Sequence, residues 1–78
     1  MTPEKQAAEW HRKEAKALWK RVADCRSKAI SPASTRPYRN VMRAEADASA
    51  LIARHHELAA DALDEIEGLR AAARVVTP

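Results

Sequence analysis

Two adjacent histidines come closest to a known reactive motif in this chain. His55, His56 and Glu57 resemble the start of a zinc-protease helix, in which the second histidine follows the first by four residues. That spacing puts both imidazoles on one helix face, where they can bind the same metal ion. The positions that would carry the second histidine are Ala59 and Ala60. The sequence therefore predicts no zinc-protease site.

The third histidine, His11, offers one other arrangement. In a helical hairpin it would lie on the facing seam about one turn from His55, and such a pair would bind a metal ion or respond to pH. Histidines at a contact between helices are more commonly half-buried, with a ring nitrogen in a hydrogen bond. We expect that structural role, and we predict no metal ligands and no cofactor.

Carboxylates and the single cysteine also fall short of a catalytic pattern. A carboxylate ladder consists of Glu57, Asp61, Asp64 and Glu65. A two-metal site in a helical bundle uses Glu-x-x-His, and no glutamate here stands three residues before a histidine. Cys25 follows His11 by fourteen residues, about 21 Å along a helix, so the two cannot share a metal. These patterns indicate that the protein is not an enzyme.

A short interruption divides the chain into two helical segments. Residues 31–37 contain two prolines, and proline disfavours helix in the residue before it. The sequence predicts one helix over about 3–30 and a second over about 38–76. We therefore expect an all-α fold, an antiparallel hairpin of two long helices, as a single domain over 1–78.

Each helix carries small or apolar residues at alternating steps of three and four, which is the spacing of a contact seam between helices. On helix 1 the seam is Ala8, His11, Ala15, Leu18, Val22, Cys25 and Ala29. On helix 2 the predicted seam is Val41, Ala44, Ala48, Leu51, His55, Leu58, Ala62, Ile66, Leu69, Ala73 and Val76. A doubled step of four before Ile66 is a stutter in this seam. We expect helix 2 to continue through Gly68, straight or slightly bent.

The composition predicts strong helices around a thin core. Apolar residues make up 46% of the chain, but half of them are alanine. Alanine has the best helix propensity and contributes little apolar area when it is buried. We expect oligomerisation or a protein partner to complete the hairpin into a helical bundle.

Unequal helix lengths predict where a partner would bind. In the predicted register helix 1 ends opposite Glu65 or Ile66, so helix 2 extends about ten residues further, or about 15 Å. Apolar residues without a facing helix mark an interaction surface. The predicted partner-binding residues are Trp10, Leu69, Ala73 and Val76.

Charge is distributed unevenly, although the net charge is only +3. Residues 12–43 hold ten basic and two acidic side chains, a net of +8. A nucleic-acid-binding surface at this end would use Lys16, Lys20, Arg36, Tyr38, Arg39 and Arg43. Pairing of the basic helix 1 with the acidic helix 2 explains the same pattern without a ligand. No recognition motif for nucleic acid accompanies the basic residues.

These observations predict a small non-catalytic helical protein that acts by protein–protein interaction. It would serve as an assembly, adaptor or regulatory protein of phage or mobile-element origin. The layout is similar to small plasmid and phage hairpins that dimerise into four-helix bundles, with no residue carried over from them. The alternatives are a dimeric nucleic-acid-binding hairpin and a minor structural component of a virion-like particle.

The expected partners are another protein or a second copy of the chain, with nucleic acid as the alternative. No stretch approaches the roughly 18 consecutive apolar residues of a membrane span. We therefore expect no membrane association. The expected location is the cytoplasm, or a particle assembled there.

Overall fold

Two antiparallel helices form the fold. The computed structural model describes residues 2–76, with α1 over Pro3–Ala29 and α2 over Arg36–Val76. The two helices pack along their length in a rod of 67 × 16 × 13 Å. The predicted all-α helical hairpin is confirmed.

The first helix has the start that its residue types predict. The Thr2 side chain accepts a hydrogen bond from the Lys5 backbone N–H at 3.2 Å and so caps the helix. Pro3 occupies the first turn, where its missing N–H costs nothing, and Glu4 complements the positive helix end. The helix ends at Ile30, whose backbone leaves the helical conformation two residues before a proline.

The second helix begins at Arg36, two residues before the predicted position. Pro37 fits within the first turn, and the Thr35 hydroxyl accepts a hydrogen bond from the Tyr38 N–H at 3.4 Å. The helix continues through Gly68 as expected. A Cβ at Gly68 would meet no atom within 4 Å, so no close approach requires a glycine there.

Small side chains make up most of the contact between the helices. Val22 has no exposed surface and is the largest fully buried side chain among the described residues. It forms a cluster with Cys25 and Ala46, against which Trp19 and Met42 pack. Ala53 and Ala60 are also fully buried. Because alanine brings little apolar area, the core is as thin as the composition predicts.

The predicted seam of α1 is confirmed, whereas that of α2 is wrong. Every residue of the predicted α2 seam whose side chain is described is exposed. The buried and half-buried row facing α1 is instead Met42, Ala46, Ser49, Ala53, His56, Ala60, Leu63 and Glu67. Its steps alternate regularly between four and three, so the contact contains no stutter. The buried positions of this row are alanine and serine, which let the two helices approach closely.

Candidate interaction surface

The rotation of α2 leaves on the outside the row that was predicted to face α1. We call it the outer row, and its members are Val41, Ala44, Ala48, Leu51, His55, Leu58, Ala62, Ile66, Leu69 and Ala73. Leu51, Leu58 and Leu69 expose 60%, 61% and 65% of their surface. The row contains no Asp, Glu, Lys or Arg over its whole length. Such a row has the spacing of a helix–helix contact but faces away from α1.

The outer row has the size of the largest apolar patch on a typical monomeric protein. From Val41 to Leu69 it spans 28 residues, about 42 Å at 1.5 Å per residue, on a helix about 10 Å wide. This gives an apolar patch of roughly 400 Å². The largest patch on a typical monomer measures about 300–600 Å² and is often functional. The outer row is therefore the strongest candidate for an interaction surface.

The four predicted partner-binding residues divide between two places. Leu69 and Ala73 belong to the outer row and are exposed. Trp10 lies on α1, with 54% of its surface exposed. The side chain of Val76 is outside those that the structure describes. The prediction that these residues bind a partner stays a prediction.

α2 extends beyond the start of α1 by about the predicted length. His11 contacts His56, and Val22 lies in one cluster with Ala46, so the register of the two helices sets the start of α1 close to residues 63–65 of α2. About eleven residues of α2 therefore extend further, or about 16 Å. Arg70 lies on this extension, and its side chain forms an ion pair with Glu4. The exposed apolar residues thus lie along α2 beside α1 and continue onto the extension.

The histidine contact between the helices involves His56 and not His55. His11 Nδ1 and His56 Nδ1 are 2.8 Å apart, a hydrogen-bond distance. The Trp10 ring packs edge-on against both imidazoles, with centroid distances of 5.0 Å and 5.6 Å. The expected His11–His55 pair is therefore wrong, because the rotation of α2 turns His55 outward. Within residues 2–76, no three His, Cys, Asp or Glu side chains are grouped to hold a metal ion.

Ion pairs join the basic α1 to the acidic α2. Arg12 donates to Asp64 at 2.5 Å and to Asp61 at 3.4 Å. The hydrogen bond with Asp64 raises the pKa of the Arg12 guanidinium above its ordinary value. Arg21 donates to Glu45 at 2.6 Å. Charge pairing thus accounts for part of the uneven charge distribution, and exposed pairs of this kind fix register more than they add stability.

The six predicted nucleic-acid-binding residues differ in exposure and in whether their side chains already have partners within the protein. Lys16, Lys20 and Arg36 are exposed and take part in none of the ion pairs found within residues 2–76. Arg39 donates to the Ser34 carbonyl at 2.6 Å, which holds the turn together. Tyr38 and Arg43 are both exposed. The Arg43 guanidinium donates a hydrogen bond to Asn40 Oδ1 at 3.3 Å.

An open groove of about 580 Å³ lies between the helices beside the outer row. Trp19 and Ala15 line it from α1, and Leu58 and Arg54 line it from α2. Lys16 stands at the same groove, so the predicted basic set is spread between this groove and the turn. The groove extends the apolar surface of Leu58 toward the half-buried Trp19 ring.

Comparison of the chain with protein-family models, with curated proteins and with solved structures found no match. Neither helix, over the residues described, has an apolar stretch of the length that crossing a membrane requires. The candidate surface therefore depends on its own geometry. Sequence reasoning identified every residue of the outer row but assigned them to the interior. The signal that separates the two rows is size at the buried positions, because the buried residues of the row facing α1 are all alanine or serine, whereas the outer row carries several leucines.

Proposed function

We propose that this protein is a non-catalytic helical hairpin that acts by protein–protein contact through the outer row of α2. One observation carries the proposal, namely a mostly apolar row with helix–helix spacing and no Asp, Glu, Lys or Arg on the side of α2 away from α1. In water such a row is stabilised when another helix covers it, because burial releases about 25 cal/mol per Å² of apolar surface.

The thin core supports the same proposal. A buried alanine contributes much less than the ~1.5–3 kcal/mol of a fully buried leucine or isoleucine. Most of the large aliphatic side chains of α2 are outside the hairpin, so their burial has to come from another chain. An assembly, adaptor or regulatory protein works by this kind of contact and needs no reactive group.

Affinity capture with one matched pair of variants tests the proposal. The parent chain, Leu51→Asp and Val75→Asp are each expressed with the same tag in native host cells, cross-linked and recovered for mass spectrometry. Val75 is on α2 but off the outer row, and it exposes 85% of its surface. We expect the parent and Val75→Asp to retain the same bound chains, itself included, and Leu51→Asp to lose them. Equal recovery with all three baits would contradict the proposal.

Nucleic-acid binding is a second candidate, favoured by the exposed charges of Lys16, Lys20 and Arg36 near the basic turn. Phosphate contacts release counterions, so affinity for DNA or RNA would fall steeply with salt. Double substitution of Lys20 and Arg36 by alanine is expected to make that salt dependence shallower by roughly two contacts. Lack of binding by the parent chain at low salt would eliminate this candidate.

A further inference from the structure

We infer that the occupant of the outer row is a second copy of this chain, with the two α2 helices antiparallel about a twofold axis near His55. This inference rests on the proposed function and specifies its partner. In a symmetric pair the same surface faces itself, so each residue of the row must have a suitable counterpart at the mirrored position.

The spacing of the outer row meets this requirement. Mirrored about residue 55, Val41 faces Leu69 of the second copy and Ala44 faces Ile66. In the same alignment Ala48 faces Ala62, and Leu51 faces Leu58 within one residue. The two His55 side chains meet at the axis. Apart from the His55 pair, each of these pairs therefore joins two apolar residues, and none of them contains Asp, Glu, Lys or Arg.

Charge favours the antiparallel direction over the parallel one. Residues 15–50 contain eight basic and three acidic side chains, a net of +5, and include the turn. The remaining residues contain six basic and eight acidic side chains, a net of −2. A parallel pair would place the two +5 halves side by side. An antiparallel pair sets each basic half beside the acidic half of the other copy, and such complementarity fixes orientation.

The size of the surface predicts the strength of association. A patch of roughly 400 Å² on each copy corresponds to roughly 800 Å² in total, which is below the ~1,200 Å² of stable specific complexes and within the range of weak, transient ones. The groove beside Leu58 and Trp19 adds apolar area at the margin. We therefore expect a weak, concentration-dependent dimer with a dissociation constant in the micromolar range.

Sedimentation equilibrium of the purified chain, from about 1 to about 500 µM, tests self-association. We expect the parent and Val75→Asp to pass from monomer to dimer, and Leu51→Asp and Leu69→Asp each to weaken association at least about tenfold, since each buries a charge. Far-ultraviolet circular dichroism verifies that the variants keep their helices. A monomeric parent, or an Leu51→Asp or Leu69→Asp variant that associates like the parent while folded, would overturn the inference.

Disulfide trapping in a Cys25→Ser background tests the direction. In the antiparallel pair, positions 48 of the two copies are about 21 Å apart, far beyond the 4.4–6.8 Å between Cα atoms that a disulfide needs. We expect Ala48→Cys alone to form no disulfide dimer, whereas a mixture of Ala48→Cys and Ala62→Cys chains forms the mixed dimer. Efficient trapping of Ala48→Cys alone would indicate a parallel pair and overturn the inference.

These outcomes remain separable from the proposed function. A purified chain that is monomeric, together with capture of other proteins that Leu51→Asp abolishes, contradicts self-association and leaves the proposed function standing. If the purified chain is monomeric and Leu51→Asp also captures the same proteins as the parent, both the dimer and the proposed function are contradicted.

Discussion

Enlarging one buried alanine tests the rotation of α2 directly. Ala53 has no exposed surface, and it lies in the row that packs against α1. The change Ala53→Leu adds three carbon atoms where the helices are in contact, and overpacking of this kind costs about 1–3 kcal/mol. For a chain of this size, about 2 kcal/mol corresponds to a fall in Tm of roughly 8–16 °C.

Two further Ala→Leu variants serve as controls for this change. Leucine and alanine have similar helix propensities, so the substitution itself has little effect on an exposed position. Ala17 on α1 and Ala48 on α2 are both exposed, and we expect each leucine variant to melt within about 2 °C of the parent. Thermal melting is followed by circular dichroism at a concentration below that of self-association. If Ala48→Leu lowered Tm and Ala53→Leu did not, α2 would have the opposite rotation and the outer row would lie inside.

The hairpin's other contacts give three further expectations, each measured by urea denaturation of the monomer. Val22→Ala removes two methyl groups from the largest fully buried side chain and is expected to cost about 2 kcal/mol; a loss under about 0.5 kcal/mol would contradict the packing of that cluster. His56→Phe keeps a ring beside Trp10 but removes the hydrogen bond to His11, for an expected loss of about 1 kcal/mol, with His55→Phe as the near-neutral control. Arg70→Ala breaks the ion pair with Glu4, whose side chain is only 13% exposed, and is expected to cost about 1–3 kcal/mol because a largely buried carboxylate loses its partner. The loss is expected to be smaller in about 1 M salt, since Arg70 is 58% exposed and its charge is screened; a loss independent of salt would argue against a charge effect.

The hairpin itself was predictable because strong local signals agree. Two prolines within seven residues specify the break, and Thr2 with Pro3 specifies the first helix start. The seam of α1 was also predictable, since the charged residues of that helix leave one continuous row of small and apolar positions. Only the start of α2 differed from the predicted position, because Thr35 caps the helix and the first turn therefore includes Arg36 and Pro37.

The rotation of α2 was not predictable from spacing alone. This helix carries two rows with the spacing of a contact, one with large residues such as Leu51 and one with small residues such as Ala53. Summed hydrophobicity selects the row that contains Leu51. Close packing against the alanine-rich seam of α1 instead places the row that contains Ala53 inside. The same error exchanged His55 for His56 at the contact with His11.

The position of the turn at the end of a 67 Å rod has a consequence for reach. In the proposed antiparallel pair the two turns, centred near residue 33, would each lie about 33 Å from the axis at residue 55, so about 66 Å would separate them. For the nucleic-acid-binding candidate, a small anion would occupy only one turn at a time and would gain nothing from the second. Only a long, stiff polyanion would span both turns, and for such a ligand the second contact would be intramolecular, with a high effective concentration. Pairing of two hairpins would in this way make the protein selective for the length of an anionic ligand without any residue that recognises its sequence.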